Sequence, residues 1–186
     1  ENESGIDSLM TLMSLGLDAN AYTTNDHTAY LFSGTDNFYE GLDELMDYVQ
    51  HPYYTDENVE KERPIISQEI GKYDDMPSWR LYINAVQNMY YNNTVRIDTA
   101  GTVETISHIT KENLYSCYNT FYNPANSIMC ISGDFNPKEI ISEIKKRLLK
   151  KEKITSIKRI FPEEPETINR KIKEEKMDVN MPLFMI

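Results

Sequence analysis

One stretch of this sequence constrains the fold more than any other: the twenty residues Asp56–Asp75, which read DENVEKERPIISQEIGKYDD. Thr55 or Asp56 can cap a helix here, and acidic residues fill the first turn. Glu62 and Glu69 are seven residues apart, which is two helical turns, so both carboxylates project from the same side. Such a pair is either a solvated charged face or a pair that holds a cation against a partner element. Apolar residues recur at helical spacing and predict a buried stripe: Val59, Ile66 and Ile70.

A proline interrupts this stretch between the two glutamates. Inside a helix, Pro64 would remove one backbone hydrogen bond and crowd the preceding turn. The sequence therefore predicts a kink or a restart of the helix at Pro64. Either change would alter the relative direction of the Glu62 and Glu69 carboxylates.

The rest of the chain alternates strand and helix signals. Threonine and aromatic residues on both sides of Asn25-Asp26 predict a β-hairpin over residues 17–33, and the apolar run Ser127–Ser132 predicts a central strand. These elements predict an α+β fold in which an antiparallel sheet is covered on one face by helices. Besides the stretch above, amphipathic helices are predicted over Ser4–Leu15 and Asn37–Gln50 and after Ser78, Thr110 and Pro137.

In the first of these helices, Ser4–Leu15, the apolar residues predict which side is buried. Leu9, Met10 and Met13, together with Ile6, supply the apolar side of the predicted helix. Gly16 follows directly after Leu15 and can end the helix in a left-handed turn.

The charge of the chain excludes two classes of partner. Its formal net charge is -11 and its pI is about 4.7, so we expect it to bind neither nucleic acid nor an anionic membrane. No apolar run approaches the length that spans a bilayer. Cys117 and Cys130 lie in apolar surroundings, which predicts buried free thiols in a reducing, cytoplasmic location, although the sequence alone leaves a disulfide open.

The motifs of the central stretch resemble a known family. Lys61-Glu62-Arg63, Ile65–Ile70 and Tyr73-Asp74-Asp75 resemble the helix that carries the third zinc ligand in the insulinase/pitrilysin metallopeptidases, whose signature is the inverted motif H-x-x-E-H. The resemblance implies an insulinase-type domain, a LuxS-like metalloenzyme fold. By this resemblance Glu69 is the glutamate that ligates zinc, and Glu62 is the second glutamate that supports the site.

A second motif implies how substrate is bound. Asn20-Ala21-Tyr22-Thr23, followed by Asp26-His27-Thr28, resembles the edge strand that pairs with the peptide substrate in this family. An edge strand offers unpaired N–H and C=O groups, so an extended peptide can add to the sheet largely regardless of its side chains. Asn20, Ala21, Tyr22 and Thr23 are therefore candidate substrate-binding residues. An ordinary hairpin without this role produces the same pattern.

The resemblance covers most of residues 1–150. Its later motifs are Tyr122-Asn123-Pro124 and Gly133-Asp134-Phe135-Asn136-Pro137. We interpret residues 1–150 as most of a first peptidase repeat, 151–166 as a charged, proline-containing linker, and 167–186 as the opening strand of a second repeat.

The chain contains only part of the chemistry that the family requires. No H-x-x-E-H occurs in it, so two histidine ligands and the catalytic base are absent, and we expect the motif just before Glu1. The resemblance implies a fragment of a zinc metalloendopeptidase that hydrolyses peptides or small proteins, inactive and binding Zn²⁺ weakly or not at all by itself. Two alternatives remain: a non-catalytic half that pairs with a second insulinase-like half, and an α+β interaction module that shares only the fold.

Overall fold

The structure, a computed structural model, describes residues 7–151 and 157–186. Contacts divide these residues into two units, the first within 7–23, 28–58 and 110–158 and the second within 24–27, 59–109 and 159–186. In chain order the elements are α1 (Ser8–Ser14), β1 (Asp18–Thr23), β2 (Thr28–Ser33), α2 (Phe38–Gln50), α3 (Asp56–Asp74), α4 (Pro77–Met89), α5 (Val103–Ser107), α6 (Lys111–Phe121) and α7 (Pro137–Arg147).

The end of α1 builds the core of the first unit. Gly16 has φ of +79°, a left-handed conformation that favours glycine, and the N–H of Leu17 donates to the carbonyl of Leu12 at 3.2 Å. This turn folds Leu17 back onto Leu12, and the two are 4% and 1% exposed. Together with Ala19 they form a buried cluster against which Phe32 packs.

The β-hairpin lies with one face against this cluster. The antiparallel pairing places Ala19 opposite Phe32, on the buried face, and Asn20 opposite Leu31, on the exposed face. Gly41 of α2 lies so close to Leu17 and to Phe32 of the hairpin that a Cβ there would collide with the Leu17 side chain and crowd the Phe32 ring. The structure therefore confirms an α+β fold in which helices cover one face of an antiparallel sheet.

Several helix predictions are confirmed together with their caps. Helix α2 ends at Gln50, directly before His51-Pro52. The Thr110 side chain accepts from the N–H of Asn113 at the start of α6, and Asn136 caps α7. Within residues 7–151 and 157–186, no helix has the length and apolar composition needed to cross a membrane.

The predicted strand Ser127–Ser132 is wrong for this structure. The segment forms no ladder with any described residue, and Ile128 is 97% exposed. A strand needs a hydrogen-bonded neighbour, and the strands of the described part, β1 and β2, pair with each other. Residues 167–186 also lack strand pairing among the described residues, and their assignment to a second repeat stays a prediction.

Two predictions of burial are also wrong. Cys117 and Cys130 are free but exposed. Cys117 lies on α6, and Cys130 lies in the segment that forms no strand. In α1, Met10 and Met13 are 63% and 51% exposed, whereas Leu12 is buried. Of the predicted helix Ser4–Leu15, residues 4–6 lie outside the described part of the chain.

The second unit contains the single tryptophan of the chain. The indole N–H of Trp79, on α4, donates to Asp98 at 2.9 Å. Its ring lies between those of Tyr73 and Tyr82, with centroid distances of 5.5 and 5.6 Å. These contacts connect the last turn of α3 to α4 and to the loop that contains Asp98.

A loop after α4 binds a carboxylate of the C-terminal segment. The backbone N–H groups of Tyr91, Asn92 and Asn93 all donate to Glu164, with distances of 2.9 Å from Asn92 and 2.8 Å from Asn93. Partial burial raises the pKa of Glu164, but the three donors outweigh it and hold the pKa below its ordinary value. The segment is thus held by an ionised carboxylate in a ring of backbone donors.

We expect this contact to weaken in acid. A depressed folded-state pKa means that the stabilisation is complete above the ordinary glutamate range, about pH 4, and is lost as the pH falls through the folded-state pKa. Hydrogen-exchange protection of the Tyr91–Asn93 amides, corrected for the intrinsic rate at each pH, should fall in that range. In Glu164→Gln it should already be reduced at neutral pH and change little on acidification. Glu163→Gln is the matched control, and an equal effect there would contradict the assignment.

Candidate functional site

The two candidate glutamates lie on one continuous helix, α3, as predicted for Asp56–Asp75. The side chains of Glu62 and Glu69 are both exposed, and neither carboxylate has a hydrogen bond or ion pair with another described residue. Ile70 is buried, and Val59 and Ile66 are partly buried. Ile66 is four residues after Glu62 and three before Glu69, so the two carboxylates lie directly beside this apolar stripe. Both glutamates are thus exposed along one edge of the apolar stripe of α3.

The spacing along α3 restricts what the two carboxylates can do together. Seven residues of helix rise by about 10 Å, and helical side chains all tilt towards the N-terminus, so this separation is kept. A zinc–oxygen bond is only about 2 Å long. Glu62 and Glu69 are accordingly suited to different tasks, such as one ligand and one supporting group, rather than to holding one ion between them.

Pro64 does not restart the helix. The helix runs through it without interruption from Asp56 to Asp74, so the predicted restart is wrong. Proline has no N–H, and the carbonyl of Glu60 therefore lacks its usual donor inside the helix. One turn later, the Ser67 hydroxyl donates to the carbonyl of Arg63 at 2.8 Å. The sequence from Glu62 to Glu69 thus stays helical and keeps both carboxylates on the same side.

Arg63 fixes this part of α3 within the second unit. Its guanidinium donates to Glu60 at 2.6 Å and to the carbonyl of Ile109 at 2.9 Å. The side chain is only 25% exposed, so the contact with the segment after α5 is sheltered from solvent. Arg63 therefore anchors the middle of α3 to the segment after α5.

The described residues do not by themselves compose a zinc site. No cluster of three or more His, Cys, Asp or Glu side chains in residues 7–151 and 157–186 could hold a metal ion. His27 and His51 instead contact neighbouring carboxylates, Asp26 at 2.7 Å and Asp47 at 2.8 Å. Zinc prefers imidazole or thiolate ligands with carboxylate in the minority, so Glu69 and Glu62 alone do not fit it.

The candidate substrate strand presents its backbone in a defined direction. The N–H of Thr24 donates to the carbonyl of His27 at 2.8 Å, which makes this a hydrogen-bonded pair. Hydrogen-bonded and non-hydrogen-bonded pairs alternate along an antiparallel ladder, so Ala21 and Tyr30 form a non-hydrogen-bonded pair. The N–H and C=O of Ala21 therefore point away from β2. Among the described residues β1 pairs with β2 alone, so that edge carries no strand.

The outward N–H of Ala21 is already hydrogen-bonded to a side chain of the same strand. The N–H of Ala21 donates to the side-chain oxygen of Asn20 at 2.8 Å. Asn20 thereby satisfies the donor that an added peptide strand would otherwise use, and the amide group is exposed and free to turn away. Tyr22 is exposed on the same face of the hairpin as Asn20, and Thr23 lies opposite Thr28, with 3.2 Å between their hydroxyl oxygens.

The two groups of candidate residues fall in different units. Glu62 and Glu69 belong to the second unit, and Asn20 to Thr23 belong to the first. Sequence reasoning missed the capped N–H of Ala21 and the contact of Tyr30, opposite Ala21, with Tyr122. Only the geometry of the hairpin turn could have indicated that the N–H of Ala21 points outward. No local feature of the sequence indicates the contact between Tyr30 and Tyr122.

Comparison with known families gives matches along nearly the whole chain. Residues 2–103 match the family described as insulinase (peptidase family M16), and residues 108–186 match the peptidase M16 inactive domain. A protein of Bacillus subtilis named uncharacterized zinc protease YmfH is 50% identical over 173 residues, which are 92% of this chain and 40% of the relative.

Solved structures show the same relationship. A protein of Alicyclobacillus acidocaldarius described as an M16-like peptidase superposes with a TM-score of 0.83 at 44% identity, over 91% of this chain and 40% of that chain. A protease of Helicobacter pylori has a TM-score of 0.78 at 21% identity, over 85% of this chain and 39% of that chain, which shows the fold alone. The chain thus spans less than half the length of these relatives.

Proposed function

The chain belongs to the insulinase family of peptidases, family M16, and from this premise we propose that it is part of a zinc-dependent metallopeptidase that hydrolyses peptides or small proteins. The observation that carries the proposal is the continuous helix α3, which presents Glu62 and Glu69 on one open side. Its relatives named zinc proteases support zinc as the metal.

Glu69 is the proposed zinc ligand of the whole protein, and Glu62 supports the site. The other ligands and the base that activates water come from outside this chain, because its sequence contains no H-x-x-E-H. By itself the chain should therefore bind Zn²⁺ weakly or not at all and cleave no peptide. Its cytoplasmic location is also a proposal, which rests on two free cysteines.

The proposed substrate is an extended peptide that adds to β1 as a further strand. Asn20, Ala21, Tyr22 and Thr23 form the binding edge, at which the outward N–H and C=O of Ala21 are the central pair of groups that bind the peptide backbone. For the peptide to donate and accept there, the side chain of Asn20 must release the N–H of Ala21. Recognition through backbone groups suits a peptidase that accepts varied sequences.

Cleavage of a quenched fluorescent peptide by the full-length protein, with and without a chelator, tests the proposal. We expect hydrolysis that the chelator abolishes and added Zn²⁺ restores. A full-length protein that binds no zinc and cleaves no peptide alone, but that a second, zinc-binding insulinase-like subunit requires for cleavage, would be a non-catalytic half instead. Hydrolysis that is indifferent to the chelator would contradict the assignment to zinc.

Replacing Glu62 with glutamine should lower the kcat/KM of the full-length enzyme without abolishing its activity. Loss of a group that orients a metal ligand typically reduces activity or metal affinity by about 10–100-fold. The measurement is kcat/KM on the same peptide, beside zinc content. Glu57→Gln makes the same chemical change in the first turn of α3 and should leave both values unchanged. A Glu62→Gln enzyme with full activity would exclude Glu62 from the site.

A further inference from the structure

Tyr30 connects the candidate substrate strand to the helices of its unit. It lies on β2 directly opposite Ala21, and the two residues form a non-hydrogen-bonded pair. Side chains of such a pair lie closer together than those of the alternate pairs. Tyr30 is therefore the residue of β2 that lies directly against the part of β1 whose backbone faces outward.

The hydroxyl of Tyr30 makes one specific contact. It lies 2.8 Å from the hydroxyl of Tyr122, at a partly buried position 92 residues away in the sequence. Burial, and then the hydrogen bond with Tyr122, raise the pKa of Tyr30 above its ordinary value, so the phenol stays neutral. The ring of Tyr30 also packs edge-on against Tyr48 of α2 at 5.5 Å. Tyr30 is thus held both by its ring and by its hydroxyl.

Tyr122 is itself fixed from the other side. Its ring stacks on Tyr118 at 5.0 Å, and the Tyr118 hydroxyl donates to the backbone carbonyls at the end of α2, at 2.9 Å from Val49 and 2.8 Å from Gln50. The ammonium group of Lys151 donates to the Tyr118 hydroxyl at 2.8 Å and to the carbonyl of Tyr122 at 3.1 Å. Tyr122 is therefore held by its ring and by its backbone carbonyl, while its hydroxyl contacts Tyr30.

We propose that Tyr30 and Tyr122 are positioning residues for substrate: their paired hydroxyls hold the Ala21 region of β1 in the place where a peptide strand can add. The inference rests on the proposed function, because it assigns the pair to peptide binding at that edge. A hairpin of two strands is only marginally stable without support. A prearranged strand lowers the cost of ordering it when the peptide binds. The hydroxyl pair acts on binding of substrate and not on the reacting atoms.

Removing the hydroxyls one at a time tests this in the full-length protein. Tyr30→Phe and Tyr122→Phe should each raise KM for the quenched peptide about three- to tenfold, the ratio that follows from losing one neutral hydrogen bond, with little change in kcat. The double variant should be no worse than the single ones, because both remove the same hydrogen bond. Tyr54→Phe is the control, since the hydroxyl of this half-buried tyrosine has no hydrogen-bond partner among the described residues, and its KM should not change.

Hydrogen exchange separates failure of the inference from failure of the proposed function. The amides of Asn20 and Tyr22, which belong to hydrogen-bonded pairs with β2, should exchange faster in both single variants, while zinc content and exchange in α3 stay as in the unchanged protein. If the unchanged protein cleaves no peptide, the proposed function fails, and faster exchange in β1 alone then supports the positioning role. Unchanged exchange in β1 together with an unchanged KM in both single variants would overturn the positioning role. A parallel loss of kcat, zinc and thermal stability would also overturn it, because that is the signature of general unfolding.

Discussion

Glu69→Gln in the full-length protein is expected to abolish peptide hydrolysis and to reduce bound zinc far below one ion per molecule. A neutral amide oxygen is a much weaker zinc ligand than a carboxylate. The loss should exceed the 10–100-fold expected for Glu62→Gln, because a ligand contacts the metal directly and a supporting group does not. Activity on the quenched peptide and elemental analysis for zinc are the two measurements.

Because Glu69 is exposed, its substitution separates an effect on zinc binding from an effect on folding. Its side chain has no partner among the described residues, so the exchange should leave folding intact, which circular dichroism can confirm. Glu57→Gln on the same helix should retain zinc and activity. If Glu69→Gln keeps both its zinc and its rate, Glu69 is not a ligand and the central assignment is wrong. Tight, stoichiometric zinc in the 186-residue chain alone would be equally damaging.

Leu12→Ala should destabilise the first unit strongly. Leu12 is 1% exposed and contacts the Leu17 side chain that the left-handed turn at Gly16 folds back onto it. Removing a fully buried leucine side chain costs about 2–5 kcal/mol of unfolding free energy, through lost burial and the cavity left behind. Urea denaturation of the chain, followed by circular dichroism, measures the change in midpoint.

Met13→Ala provides the matched control for Leu12→Ala. Met13 is on the same helix, one residue further along, but is 51% exposed. Substitutions at such surface positions usually change stability by about 0.5 kcal/mol or less. Equal effects of the two substitutions would show that the buried side of α1 is not the one described here.

Local patterns predicted much of the fold. The helix from Asp56, the helix that begins after Thr110 and the hairpin each depend on residues close in sequence, and each is present. The buried side of α1 was predicted only in part: Leu9 packs against the core, but Met10 and Met13 are exposed. Leu12 is buried in their place, because the turn at Gly16 folds Leu17 onto it. The strand Ser127–Ser132 required a neighbouring strand that the described residues do not provide.

For the candidate site, the sequence predicts the spacing of residues along a helix but not the contacts that distant residues make. Glu62 and Glu69 share one side of α3 because helical periodicity requires it. The outward direction of the Ala21 N–H depends on the register that the turn at Thr24–His27 sets. The contact between Tyr30 and Tyr122 joins residues 92 positions apart, which no local pattern can indicate.

The position of Trp79 provides a label-free optical reporter. It is the only tryptophan of the chain and lies in the second unit, beside Tyr73 of α3 and bonded to Asp98. Selective excitation of the indole should therefore read the surroundings of the C-terminal end of α3, while Leu12 lies in the first unit. Comparing the emission of Trp79 with circular dichroism during denaturation of Leu12→Ala would then show whether the two units melt in one cooperative step or in two.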